Sequence, residues 1–366
     1  MTKVFTGIFS LDKQLAVPLI FQQKYIPSLN GLRGTAILLV IIEHLKYGIS
    51  APAFSHMLSG CIPTGSFGVQ IFFVLSGFLI TGLLLKEKVE TGGIHLKRFF
   101  QRRIIRIFPA FYMYLIIIIL LKVIQVASVT NSGITAAALF VSNFADVRHS
   151  WLIAHSWSLS VEEQFYLTWP IIMVIMPKKY IYIFILAFLY YIFYYYLRLY
   201  PFLFIFRGFL MSVPSLLAGA LLSIALYKNW LKNIHSILMH PVMAFSLFFA
   251  ALMYAPRAIK YKNLFSTPFD YIFSSFLIAA FLYYAVHCDS KNPVYKVLNF
   301  PALAYLGILS YSLYLWQQPF FCDPVNYQVY PFWTHSPLNI ILALIAAFLS
   351  YKLIEKPFLR LKKNFS

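Results

Sequence analysis

The sequence predicts an all-α protein that spans a membrane about ten times and carries one further short helix, re-entrant or interfacial. Hydrophobic residues make up 61% of the 366 residues, charged residues only 11%, and the mean hydropathy is +0.75. The core of a soluble domain could not bury so many apolar side chains, so this composition excludes the soluble globular class. The apolar residues also gather into runs of about 20, the length of helix that crosses a bilayer.

Ten such runs follow one another along the chain, and the eleventh, 133–145, is too short to cross. We expect a cytoplasmic N-terminal segment (1–32) that stays attached, a transmembrane domain (33–355) and a basic cytoplasmic tail (356–366). The predicted spans lie near 33–50, 67–86, 107–127, 157–176, 180–198, 203–227, 236–255, 268–287, 302–321 and 338–354.

Charge predicts how these spans are oriented. The chain has 30 Lys and Arg against 11 Asp and Glu, a net charge of +19. With ten spans, most of the basic residues fall on one side, which the positive-inside rule identifies as cytoplasmic, so both termini are predicted there. The positive charge is then a topology signal, and we expect no nucleic-acid partner. Three cysteines without close spacing suggest neither a disulfide framework nor a metal site.

Two ionisable residues in the first predicted span share one helix face. Arg33 and His44 are eleven residues apart, so their side chains point within about 20° of each other and lie about 16 Å apart along the axis. His44, with Glu43 beside it, could hydrogen-bond a neighbouring helix or act as a general base. The pair could serve a charged carrier with a long arm.

A basic segment precedes the third predicted span. Arg98, Arg102 and Arg106 are four residues apart, so they line one side of an interfacial helix that Pro109 could redirect into the span. These guanidinium groups could contact anionic lipids, or they could clamp the phosphates of a nucleotide-bearing donor.

Two adjacent carboxylates lie near the outer end of the fourth predicted span. Glu162 and Glu163 follow Trp157 by five and six residues, which places them about 8–9 Å into the helix, a depth that His44 could share. At most one is expected to face the same cavity as His44, and the other could pair with an arginine. Helix capping is the alternative role for this segment.

Six motifs, taken together and in order, resemble the acyltransferase-3 family of membrane O-acyltransferases. They run from residue 25 to residue 358 and read YIPSLNGLRGTAILLVIIEHL, SFGVQIFFVLSGFLIT, FFQRRIIRIFPAFY, HSWSLSVEEQFYLTWP, GILSYSLYLWQQPF and YKLIEKPF.

The resemblance implies an enzyme that takes an acyl group, usually acetyl, from cytosolic acyl-coenzyme A and transfers it to a hydroxyl. The acceptor would be a bacterial surface glycan or its lipid-linked precursor. Arg33 and His44 match the family's essential pair, and Arg103 and Arg106 match its donor-associated element. Ser76, in the FFVLSGF motif, is implied as a point of close approach to the donor or to a helix.

Two positions depart from the commoner family pattern, because Gln70 and Gln317 stand where many members carry an ionisable residue. We therefore expect acid–base chemistry to depend on His44 and on an orienting carboxylate. Glu43, Glu162 and Glu163 are the candidates, and Glu163 ranks first. A hydrolase-like domain found in some members is not in this sequence, so we expect the membrane domain to act alone.

The expected partners are acetyl-coenzyme A as donor substrate, a glycan acceptor and membrane lipid, without a permanently bound cofactor, in the bacterial inner membrane. A proton-coupled transporter or flippase, with His44 and the glutamates as a relay, is the competing hypothesis. Four glycines could let the backbone approach a carrier, or they could simply let helices pack closely, and the two roles explain them about equally well: Gly31, Gly34, Gly68 and Gly77.

Overall fold

The protein is all-α, as predicted. The computed structural model describes residues 16–23, 25–46, 65–144, 150–175, 207–252, 268–322, 326–329 and 331–361, and within them it contains helices, turns and one isolated bridge but no strand. The helices are α1 (Leu19–Gln22), α2 (Leu29–Leu45), α3 (Gly65–Thr91), α4 (Leu96–Val123), α5 (Asn131–Ala138), α6 (Trp151–Ala154), α7 (Ser156–Ile175), α8 (Arg207–Tyr227), α9 (His235–Leu238), α10 (Ser246–Leu252), α11 (Pro268–His287), α12 (Pro293–Leu298), α13 (Pro301–Trp316), α14 (Leu338–Ser350) and α15 (Lys356–Leu361).

Three continuous helical stretches in the described part of the chain are long and apolar enough to cross a membrane: α3, α4 and residues Leu338–Leu361. The last stretch joins α14 to α15 through a π-helical turn, Tyr351–Glu355. A bent pair, Lys232–Leu238 and Pro241–Ala251, would make a fourth span. The count of ten spans is therefore not confirmed, and the span expected at 180–198 lies outside the described residues.

Individual boundaries agree with the prediction to different degrees. The helix predicted at 268–287 occupies those residues, and α7 matches the fourth predicted span within one residue at each end. The run predicted as too short to cross, 133–145, overlaps α5, a helix of eight residues that begins two residues earlier. In contrast, the span expected at 236–255 is broken, because a 3-10 turn begins at Pro241, where the chain bends by 68°.

The basic segment forms no separate interfacial helix, contrary to prediction. Helix α4 is continuous from Leu96 to Val123 with Pro109 inside it. Pro109 has no N–H to donate to the carbonyl oxygen of Ile105, yet the helix continues through it. Nearby, the Tyr311 hydroxyl donates to the carbonyl oxygen of Ile107 at 2.8 Å. The 28-residue helix is about 42 Å long, more than the hydrocarbon core of a bilayer requires. Its arginine-bearing first turns can therefore extend beyond the hydrocarbon.

Helix α2 starts earlier than predicted because a distant residue caps it. Ser28 precedes the helix, and its backbone N–H donates to the side-chain oxygen of Asn299 at 3.1 Å. The Asn299 amide donates in turn to the Ser28 hydroxyl at 3.0 Å. The loop between α12 and α13 thereby fixes the start of the helix that carries Arg33 and His44.

Glycines let the central helices approach backbone to backbone. A Cβ atom at Gly77 of α3 would lie 1.8 Å from the carbonyl oxygen of Leu216, and one at Gly219 of α8 would lie 1.9 Å from that of Val74. On α2, added Cβ atoms at Gly31 and at Gly34 would also collide with backbone carbonyl oxygens. The glycines considered as space for a carrier therefore serve helix packing in this structure.

We expect Gly77→Ala to lower the free energy of unfolding by about 1–3 kcal/mol, because the new methyl group would force α3 and α8 apart. Thermal unfolding in detergent would measure the change. Gly93→Ala is the matched control, since nothing lies within 4 Å of an added Cβ there. Equal melting temperatures for the two variants would contradict the close approach.

Candidate functional site

A cavity of about 440 Å³ lies among α2, α3, α4, α7 and α13. One wall is apolar and comes from α3, where Leu75, Leu79 and Leu83 recur every four residues and therefore share a face. The lining also includes charged residues from three other helices: Arg33 from α2, Arg103 and Arg106 from α4, and Glu162 and Glu163 from α7. Three of the four arginines predicted to hold a donor are thus brought together from two helices.

The carboxylate of Glu162 faces these arginines. It accepts a hydrogen bond from the Ser76 hydroxyl at 2.7 Å, and the Tyr166 hydroxyl donates to Ser76 at 3.0 Å. Glu162 also interacts electrostatically with Arg33 and Arg103. Ser76 lines the cavity, but its polar contacts connect α3 to α7 and orient the carboxylate.

Arg103 is held by aromatic rings as well as by charge. Its guanidinium lies 5.3 Å from the ring centroid of Tyr166 and 5.6 Å from that of Phe99, within the range of a cation–π interaction. It interacts electrostatically with both Glu162 and Glu163. The planar group is therefore fixed at the cavity wall, where its N–H groups can meet an anion.

Arg102 has a different position from its neighbour. Its side chain donates to Glu87 at 3.1 Å, and His95 contacts the same carboxylate at 3.1 Å. Among the described residues, Arg102 is not one of those that line the cavity. It instead helps to close the turn between α3 and α4, so the structure does not group it with the other candidate donor residues.

Glu355 is a buried carboxylate to which the sequence analysis assigned no role. It is 6% exposed, lies in the π-helical turn, and accepts a hydrogen bond from Ser312 at 3.0 Å. It interacts electrostatically with Arg106 and Arg33. The signal in the sequence was a lone carboxylate in the last apolar span, within the YKLIEKPF motif.

His44 lies on the same helix as Arg33, as predicted, but it is not among the described residues that line the cavity. Its Nδ1 atom is 2.8 Å from the side-chain oxygen of Gln317, and its ring lies edge-on to that of Trp151 with the centroids 5.1 Å apart. Gln317 is fully buried. Glu163 was the first candidate for the group that orients His44, whereas the structure places the Gln317 side chain against Nδ1.

A chain of amides determines the tautomer of His44. The Gln318 amide donates to the backbone carbonyl of Trp151 at 2.9 Å, and its oxygen accepts from the Gln317 amide at 3.2 Å. Since a carbonyl can only accept, each amide has one allowed orientation, and the Gln317 oxygen must face His44. In a neutral ring the proton is therefore on Nδ1, which leaves Nε2 able to accept a proton.

The remaining predicted residues are placed away from this arrangement. Glu43 forms an ion pair with Lys46, one helical turn further along. Gln70, the second departure from the family pattern, is buried and donates to Ser274 and Ser275 at 2.9 Å each, which packs α3 against α11. Glu162 and Glu163 line the same cavity as the arginines, whereas His44 is not among its described lining residues. The cavity therefore groups these carboxylates with the arginines.

Similarity to known proteins identifies the family of the chain. The family described as "Acyltransferase domain" matches residues 26–352. The chain is 32% identical to a "putative O-acetyltransferase" of Staphylococcus aureus strain COL over 92% of this chain and 58% of that protein. It is 27% identical to the peptidoglycan O-acetyltransferase OatA of Listeria monocytogenes, over 94% of this chain and 57% of that protein.

A third relative, the O-acetyltransferase OatA of Staphylococcus aureus strain NCTC 8325, is 29% identical over 92% of this chain and 58% of its own length. The chain thus spans less than two thirds of the length of the curated relatives that it matches. No solved structure matches it. The family match covers most of the residues, including the three arginines of the cavity and His44, and the chain belongs to the acyltransferase-3 family of membrane proteins.

Proposed function

We propose that the protein is a membrane O-acyltransferase that moves an acetyl group from acyl-coenzyme A to a hydroxyl of an extracytoplasmic or lipid-linked glycan. The observation that carries the proposal is the arginine-lined cavity beside α2, the helix that also carries His44. The hydrogen bond to Gln317 keeps the His44 ring in one tautomer. Similarity to the peptidoglycan O-acetyltransferase OatA of Listeria monocytogenes favours a cell-wall glycan as the acceptor. Acetyl-coenzyme A is then a substrate, and no permanently bound cofactor is required.

The donor would bind through its phosphates at Arg33, Arg103 and Arg106. Guanidinium groups form charge-assisted, bidentate hydrogen bonds with phosphates, and these three line one cavity. The apolar face of α3 would contact the pantetheine arm. Arg33 and His44 are separated by about 16 Å along α2, a distance that such an arm can follow toward the imidazole.

The transfer itself would use His44 as general base. Its Nε2 atom takes the proton from the acceptor hydroxyl while the oxygen attacks the thioester carbonyl carbon. The carbon–sulfur bond breaks, the ester forms, and the thiolate of coenzyme A leaves and takes the proton from the imidazolium. Gln317 is a positioning residue in this scheme, because it acts on the substrate only through His44.

Orientation follows from charge. The proposed location is the bacterial inner membrane, with both termini and the arginine-rich start of α4 on the cytoplasmic side, where acyl-coenzyme A is available and where basic residues concentrate. Membrane lipid is the expected surrounding partner. The acceptor would then reach His44 from the outer side.

We expect the double variant Arg103→Gln/Arg106→Gln to bind acetyl-coenzyme A about 10- to 100-fold more weakly, since charge-assisted hydrogen bonds to the phosphates are lost. Isothermal titration of purified protein would measure the dissociation constant. Lys97→Gln/Arg98→Gln is the matched control, because it removes two positive charges from exposed positions of the same helix. Equal affinities for the two double variants would contradict the donor site.

We expect His44→Ala to lower acetyl transfer by about 10²- to 10⁴-fold while acetyl-coenzyme A still binds, because only the general base is removed. The readout is mass spectrometry of the cell-wall glycan together with transfer from labelled acetyl-coenzyme A. His240→Ala, an exposed position, serves as the control. Normal acetylation in His44→Ala would end this mechanism, and proton-coupled glycan flux without transfer would favour the transporter hypothesis.

We expect Gln317→Leu to reduce the transfer rate by about ten- to a hundredfold at unchanged donor affinity, since the imidazole loses the acceptor that orients it. Gln317→Glu keeps an oxygen at this position and should retain more activity than the leucine variant. Steady-state kinetics with saturating donor would compare them. A leucine variant as active as the parent would remove Gln317 from the mechanism.

A further inference from the structure

His155 is a buried histidine with both ring nitrogens unpaired. It is 3% exposed, and neither nitrogen has a hydrogen-bond partner among the described residues. Leaving a buried polar group unsatisfied costs about 1–3 kcal/mol, so a native protein retains such a group when it has another use. The residue lies at the junction between α6 and α7, immediately after the last residue of α6.

Aromatic rings surround the imidazole and include a second unpaired donor. The ring of His155 lies edge-on to Tyr114 and to Tyr314, with centroid distances of 5.3 and 5.6 Å. The ring of Trp316 lies edge-on to that of Tyr114, with the centroids 5.3 Å apart. Within the described part of the chain, the buried Trp316 Nε1 atom also lacks a hydrogen-bond partner. The aromatic group formed by Tyr114, His155, Tyr314 and Trp316 therefore holds three unpaired polar atoms.

This aromatic group adjoins both parts of the proposed reaction centre. Tyr314 lines the arginine cavity, and Trp316 directly precedes Gln317, the residue that orients His44. On the other side, Trp151 contacts the His44 ring and lies one helical turn before His155. The two imidazoles are within electrostatic range of each other.

We propose that His155 is an acceptor-binding residue, whose imidazole holds a non-reacting hydroxyl of the sugar beside the hydroxyl that His44 deprotonates. Trp316 would donate to a second oxygen of the same sugar. This inference rests on the proposed function and specifies the acceptor as a molecule with neighbouring hydroxyl groups. It adds a residue that selects the acceptor to those that bind the donor.

The chemistry of the unpaired atoms favours a sugar hydroxyl over the thioester. A neutral imidazole offers a donor on one nitrogen and an acceptor on the other, and a hydroxyl can pair with either, whereas a thioester carbonyl can only accept. An indole N–H is a donor only, and it suits another oxygen. Sites built to hydrogen-bond a substrate hydroxyl discriminate strongly against analogues that lack it, because their polar groups are then left unpaired.

His155→Phe separates a functional role from a structural one, because it keeps an aromatic ring among aromatic rings and removes both unpaired nitrogens. If His155 binds the acceptor, the variant melts at the parent temperature or above it and binds acetyl-coenzyme A unchanged. Its kcat/KM for peptidoglycan fragments should fall at least tenfold. Parental kcat/KM at equal or higher melting temperature would overturn the proposal.

A second variant keeps the test decisive if His155→Phe fails to fold. Trp316→Phe removes only the indole N–H and should also lower kcat/KM for peptidoglycan fragments, by at least threefold, with unchanged affinity for acetyl-coenzyme A. Unchanged kinetics would count against the site. A parent protein that transfers no acetyl group to these fragments would instead contradict the proposed function, so the two failures are distinguishable.

Discussion

The free-energy cost of placing charged side chains among apolar helices is the constraint on which the site depends. Arg33, Arg103 and Arg106 could not remain at the cavity without carboxylates near them, and Glu162, Glu163 and Glu355 supply these from two other helices. The partners come from different parts of the chain, so charge compensation at the cavity involves α2, α4, α7 and the last helical stretch together. The glycine contacts act elsewhere, where they bring α3 close to α8 and α2 close to α13.

His44 follows a different rule from the arginines. Its Nδ1 partner is neutral, and the partner's orientation is set by a second amide and finally by a backbone carbonyl. A neutral chain orients the ring without adding a charge that would need compensation of its own. The protein thus has a charged cavity and, apart from it, an imidazole that is aligned by uncharged groups.

Local patterns allowed much of the fold to be predicted, and contacts between distant segments account for the differences. Hydrophobic run length predicted the described residues of α11 and α7 closely, since the apolar windows there cover the same residues as the helices. It could not predict the capping of α2 by Asn299, the uninterrupted passage of α4 through Pro109, or the bend at Pro241, because these depend on neighbouring segments.

The same distinction applies to the site. The spacing of Arg33 and His44 is a property of one helix, so sequence was sufficient to place them on it. The glutamates were assigned to His44 from depth alone, but helix rotation and packing decide which side chains meet. Gln317 lies 273 residues from His44, and neither its contact nor the burial of His155 has a local signal.

The shared helix of Arg33 and His44 constrains the length of the segment between them. A residue inserted between positions 33 and 44 would rotate the imidazole by about 100° relative to the guanidinium and move it about 1.5 Å, so the number of residues between them is constrained as strictly as their identity.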